Sequence, residues 1–271
     1  MRWIRFRAGE RTGHAVLDDA GVHPVDGVPW DEAKATGELL TLDQVTLLPP
    51  VVPPTFYAVG YNYADHVRHV RHVAERMGTK PNLPERPEVG YRAANALTGH
   101  GQPVVRPADF TGLLEAEGEL VAVIGRQLRR CSREEARAGV FGWTIGNDVS
   151  AREWQRGDRT FWRAKNSDTF KPMGPWIETE VDPMASTTTV SVNGVTAAEF
   201  ATGGMIFDPY DYIVETSRYI TLHPGDVLWM GADATVAMNV GDTLSVEISG
   251  IGVLSNPVVQ EEPHSAAEEN P

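Results

Sequence analysis

Three acidic side chains stand at the edges of apolar runs, and their spacing suits a hard divalent cation. The stretch Glu117-Gly118-Glu119-Leu120-Val121-Ala122-Val123-Ile124-Gly125 carries no polar side chain after Glu119. Such a run suits a strand buried on both faces. Residues i and i+2 of a strand point the same way, so Glu117 and Glu119 should project side by side at its mouth. Two adjacent carboxylates entering a core repel each other and lose hydration, which costs several kcal/mol unless a cation compensates. A second run, Val140–Val149, is largely apolar and delivers Asp148 near its end. Three carboxylates would leave about three open positions on an octahedral Mg²⁺. Two of these could take the chelating oxygens of a 2-oxo acid or a β-diketone. The same residues would equally suit an exposed strand end, with Asp148 capping a turn, because charges commonly flank strands. Three carboxylates and one divalent ion still sum to a negative charge, which would repel an anionic substrate. Lys165 could offset that charge and stabilise an enolate as a point charge, although most lysines are simply solvated.

The elements that must hold these groups are mainly strands. Residues 55–60, 117–125, 142–149 and 174–180 read as strands. A polar, helix-compatible segment follows Gly60. Ser132-Arg133-Glu134-Glu135 is a capping box that starts a helix, and residues 209–220 carry Ile213, Thr216 and Ile220 at helical spacing. Residues 226–259 read as strand, turn and strand. Met77–Pro87 reads as a long loop able to act as a lid. Four prolines between Pro49 and Pro54 predict a stiff, extended break. It separates a small leading module over residues 1–50 from a main domain over 51–260. Residues 261–271 predict a disordered tail. The fold class is α+β, mostly β.

Composition narrows the function. The chain has 271 residues, 41% of them hydrophobic and 23% charged, as in an ordinary globular protein. Its net charge is -13, which argues against nucleic acid as a partner. No apolar run approaches the roughly 20 residues needed to span a bilayer. The opening MRWIRFRAGER has charges threaded through it, unlike a signal peptide. The lone cysteine, Cys131, suits a reducing cytoplasm.

Taken together, the motifs resemble the fumarylacetoacetate hydrolase family from about Tyr57 to Val259. The carrying pieces include Gly60-Tyr61-Asn62-Tyr63-Ala64-Asp65-His66, Glu117-Gly118-Glu119-Leu120 and Gly146-Asn147-Asp148-Val149-Ser150-Ala151-Arg152. Ala164-Lys165, Asp168-Thr169-Phe170, Gly174-Pro175-Trp176 and Gly250-Ile251-Gly252 follow in order. The resemblance implies a mixed β-roll or sandwich, a homodimer, and Mg²⁺ or Mn²⁺ held by Glu117, Glu119 and Asp148. It implies a small anionic carbonyl substrate bound near Gln155 and Tyr61, with Lys165 and His66 as catalytic groups; Arg92, a departure from the family pattern, is expected to bind the substrate's anionic group bidentately. The leading expectation is cleavage of a C–C bond in a 2-oxo or β-diketo acid, by hydrolysis or decarboxylation through an enolate. The alternatives are an isomerase or tautomerase using the same enolate, and a catalytically silent binding protein. Three departures from the family pattern bear on the choice. His69 stands where relatives carry a glutamate that orients the histidine, leaving Glu75 or Asp233 as substitutes. Ala232 replaces a threonine, and Arg92 replaces a lysine.

Overall fold

The computed structural model describes residues 1–76, 78–80 and 83–262. Among the described residues the strands gather into three sheets. The largest has twelve strands. Its central path places Arg2–Ala8, Lys171–Glu178, Val140–Asn147, Gly118–Ile124, Val227–Trp229 and Phe56–Ala58 side by side. A five-stranded sheet is built on Thr187–Val192, Thr243–Ile248 and Gly252–Gln260, and a three-stranded one on Leu114–Ala116. The described residues match the α+β, mostly β reading, with parallel and antiparallel pairs mixed.

One core joins the two larger sheets. Leu120, Ala122, Ile124 and Ile145 from the first pack in the same cluster as Val190, Leu244, Val246 and Leu254 from the second. The sheets lie close together at Gly118, where a Cβ would lie 2.8 Å from Val246 and 2.9 Å from Val190. The strand Gly118–Ile124 is buried at every residue, as its unbroken apolar run requires.

The leading strands extend the large sheet. Arg2 pairs with Glu178 and Trp3 with Ile177. The proline stretch 49–54 carries no strand or helix, because proline fixes φ and removes ladder donors.

Helix Arg133–Gly139 begins at the expected capping box, with Ser132 Oγ accepting from the Glu135 amide. Helix Pro209–Ser217 starts from Asp208, whose carboxylate accepts the Tyr210 and Asp211 amides. Helix Ala64–Arg76 forms in the polar segment after Gly60. Within the expected lid, Met77, Pro81 and Asn82 lie outside the described residues, and no helix or strand occurs over 78–80 or 83–87. At the other end, the Glu261 amide still donates to the Arg106 carbonyl, and residues 263–271, where disorder is expected, lie outside the described residues. No helix among the described residues is long and apolar enough to cross a membrane.

Candidate metal centre and active site

Glu117 occupies a junction. Glu115 lies in the three-stranded sheet and Gly118 begins the central strand of the large one. At the crossing, the Glu117 amide donates to Asn147 Oδ1 at 3.0 Å, and the Asp148 amide donates to the Glu117 carbonyl at 2.9 Å. Glu119 sits opposite Gly146 in register. Asp148 follows directly on the strand Val140–Asn147. These pairings bring oxygens of Glu117, Glu119 and Asp148 within 4.8 Å of one another, all three residues buried.

Cations crowd two of the three carboxylates. Lys165 Nζ donates to Glu117 at 2.5 Å and to Asp148 Oδ2 at 2.7 Å. Arg152 reaches Glu117 at 2.6 Å and Glu115 at 2.5 Å. Burial opposes ionisation of Glu117, but the Lys165 and Arg152 charges outweigh it and hold the carboxyl at about 2. Asp148 is likewise buried, yet Arg92, Lys165 and Lys171 hold it well below the usual carboxylate range.

Glu119 differs. Its carboxylate accepts the Gly231 amide at 2.9 Å, and no ion pair reaches it among the described residues. Burial, then the negative charges of Asp148 and Glu117, raise its pKa well above the ordinary value. A buried carboxyl in that position takes up a proton unless a cation arrives. The oxygen-only donor set and this uncompensated carboxyl suit a divalent ion such as Mg²⁺ or Mn²⁺.

The other expected residues take distinct positions. Arg92, expected near the substrate, clamps Asp148. Its Nε and Nη2 donate to Asp148 at 3.1 and 2.9 Å, and its Nη1 donates to the Tyr91 carbonyl at 3.0 Å. All of its nitrogens are thereby engaged within the protein. The Gln155 side-chain oxygen accepts from Arg152 at 2.8 Å, which leaves its amide NH₂ for other partners. Tyr61 adopts a left-handed φ of 57°, a conformation that costs a non-glycine residue about 1 kcal/mol or more. Its ring lies 5.8 Å from that of His66. Tyr61 also borders a cavity of about 750 Å³ shared with Leu83, Arg86 and Val89.

His66 lies on the first turn of its helix. Burial lowers its pKa; Glu117 pulls it up, while Arg152, Lys165 and His69 push it down. The balance favours the neutral imidazole. The Asp233 carboxylate receives the His66 backbone amide at 3.3 Å. Among the described residues no hydrogen bond joins Glu75 or Asp233 to the ring.

Two further groups escape the sequence reading. Arg152 bridges Glu115 and Glu117, and Lys171 is fully buried against Asp148 at 2.7 Å. The available signal for Lys171 was its lone charge at the head of the run Lys171–Trp176, the kind of anomaly that marked Glu119.

The fold and its buried acidic cluster define a mostly β protein with a site suited to a divalent ion. The family model described as fumarylacetoacetate (FAA) hydrolase C-terminal matches residues 55–259, and one described as Rv2993c-like, N-terminal, matches residues 1–50. The chain belongs to the fumarylacetoacetate hydrolase family. Protein Rv2993c of Mycobacterium tuberculosis is 38% identical over 236 residues, covering 86% of this chain and 85% of that protein. The oxaloacetate tautomerase YisK of Bacillus subtilis is 33% identical over 233 residues, covering 81% and 75%. The crystal structure of 5-carboxymethyl-2-hydroxymuconate delta-isomerase from Mycobacterium smegmatis superimposes with a TM-score of 0.85 at 34% identity, covering 96% of this chain and all of that one (100%).

Proposed function

We propose that the protein is a metal-dependent isomerase or tautomerase that interconverts the keto and enol forms, or the double-bond isomers, of a 2-oxo acid. This reading replaces C–C cleavage, the leading expectation from sequence. Its named relatives include a tautomerase and a delta-isomerase. The observation that carries it is the His66 ring. The imidazole is half-buried and kept neutral by burial, with no carboxylate hydrogen-bonded to it among the described residues. A neutral imidazole can take a proton from carbon and return it elsewhere. Activating water for hydrolysis asks for a stronger base, usually an imidazole backed by a carboxylate.

Glu117, Glu119 and Asp148 would hold the ion, which when bound acts as a Lewis acid toward a substrate carbonyl oxygen. Lys165 keeps its ammonium beside Glu117 and Asp148 and faces the negative charge that grows on the enolate oxygen. His66 moves the proton at the adjacent carbon. The free NH₂ of Gln155 orients the substrate, and Tyr61 closes over His66 on the cavity side. Arg152 keeps Glu117 ionised and in place.

The test uses oxaloacetate and several acylpyruvates in deuterated water, with chelator, Mg²⁺ or Mn²⁺. The expected result is metal-dependent loss of enol absorbance together with deuterium at the carbon beside the carbonyl, the carbon skeleton remaining intact by mass. Metal-dependent release of carbon dioxide or of a shortened acid would overturn the assignment in favour of cleavage.

A further inference from the structure

Asp148 carries more donors than a metal ligand needs. Its Oδ1 takes Arg92 Nε at 3.1 Å and lies 2.7 Å from Lys171 Nζ. Its Oδ2 takes Arg92 Nη2 at 2.9 Å and Lys165 Nζ at 2.7 Å. Lys165 and Arg92 border the site, but Lys171 does not. Its side chain has no exposure to solvent, so it cannot meet a substrate. Besides Asp148, its Nζ donates to the Val149 carbonyl at 3.0 Å and the Phe170 carbonyl at 2.7 Å. Three oxygen acceptors take three N–H donors, which an ammonium has and a neutral amine lacks.

Burying an ammonium is costly, and here Asp148 and two backbone carbonyls offset that cost. Arg92 and Lys165 already hold Asp148, so orientation alone does not call for a third cation. The charge balance does give it a purpose. Arg92, Arg152, Lys165 and Lys171 face Glu115, Glu117, Glu119 and Asp148. Four cationic side chains thus already answer four carboxyl groups, and Glu119, which no ion pair reaches among the described residues, holds a proton until a metal arrives. We propose that Lys171 is a built-in counter-ion that stands in for part of the divalent ion's charge and deliberately weakens the site's hold on that ion, so that the ion exchanges readily. Its ammonium repels an incoming cation and competes with it for Asp148 Oδ1.

The inference rests on the proposed metal site, not on the reaction assigned to it. The experiment is Mn²⁺ titration by calorimetry, at pH 6.5, of the wild-type protein, Lys171→Met, Lys171→Gln and Glu119→Gln. Both Lys171 variants are expected to bind Mn²⁺ about tenfold or more tightly than wild type, as removal of a near, poorly screened positive charge requires. Their Mn²⁺-induced rise in melting temperature should be correspondingly larger. Unchanged or weaker affinity in folded Lys171 variants would overturn the counter-ion role while leaving the metal site intact. Mn²⁺ binding that Glu119→Gln does not weaken, or no binding by wild type, would overturn the metal site and this inference with it. Should neither Lys171 variant fold with chelator present, refolding in Mn²⁺ decides. Recovery supports replacement of one positive charge by another, and failure to recover overturns it.

Discussion

At the scale of single residues, Glu119 has the most distinctive electrostatics. Burial and two negative neighbours raise its pKa well above the ordinary value, so ionising it without a cation works against the folded state. Glu119→Gln should therefore melt at a higher temperature than chelated wild type at pH 8. The same change should lower metal-dependent turnover by about two orders of magnitude or more, the scale of a lost Lewis acid. A lower melting temperature in chelator would show that Glu119 is stabilising as an anion, contrary to its surroundings. His66→Ala separates proton transfer from metal binding. Turnover should fall about 10²–10⁴-fold, the usual contribution of a general base, while Mn²⁺ affinity stays within about twofold on the Coulomb scale of a neutral side chain. Loss of Mn²⁺ binding in that variant would place His66 among the ligands instead. Glu117, Glu119 and Asp148 were legible in the sequence because each is a charge at the edge of an apolar run. Lys165 and His66 needed the family resemblance as well. The partner of Arg92 was not legible, since 56 residues separate it from Asp148 and nothing local announces the pairing.

At the scale of elements, the site depends on how closely the central strands pack. Gly146 stands opposite Glu119, and a Cβ on it would lie 2.5 Å from the Trp229 ring. That ring is fully buried and has no room to retreat. Gly146→Ala should cost about 1–3 kcal/mol of stability, the usual penalty of overpacking, and should weaken Mn²⁺ binding because the shifted strand leads into Asp148. Ser132→Ala is the contrasting case. Its cap, with Ser132 Oγ accepting from the Glu135 amide, is worth about 1 kcal/mol, but among the described residues no side chain of the helix it starts is hydrogen-bonded to Glu117, Glu119 or Asp148. Urea unfolding should register both losses, and metal titration only the first. If Gly146→Ala left metal affinity intact, tight strand packing would not be what positions Asp148. The two strands and the Ser132 cap followed from periodicity and cap chemistry. Alternation along one strand predicts Glu117 beside Glu119, and their carboxylates do lie together, although Glu117 falls outside the strand Gly118–Ile124. The added fact, that Glu117 sits where the chain passes between two sheets, depends on the Leu114–Ala116 pairing with Val236–Met238, which no local pattern reveals.

At the scale of the whole molecule, long-range pairings hold the sheets together, and one of them ends on a histidine ring. The pairing of Arg2 with Glu178 could not be read from sequence, because it joins distant segments and each reads as an ordinary strand by itself. His100 shows the same reach: its Nδ1 accepts the Ser255 amide at 3.2 Å, and burial lowers its pKa. His14, on the strand Arg11–Asp18, is lowered first by burial and then by the charge of Arg5. A base whose folded pKa is depressed binds fewer protons folded than unfolded between the two values. Stability from such a group is therefore complete above the unfolded pKa of about 6.5 and is lost as pH falls below it. Glu119 opposes this trend in chelated protein, since a raised carboxyl favours the folded state on acidification. A single wild-type pH curve thus mixes both signs, and the informative quantity is a difference. His14→Gln removes one titrating base without touching the carboxylate cluster. Measured by urea unfolding in chelator, this variant should gain stability relative to wild type as pH falls from 7 to 5. A difference that stays constant across that range would mean that His14 is protonated as easily in the folded sheet as in water, and that its burial carries no linkage.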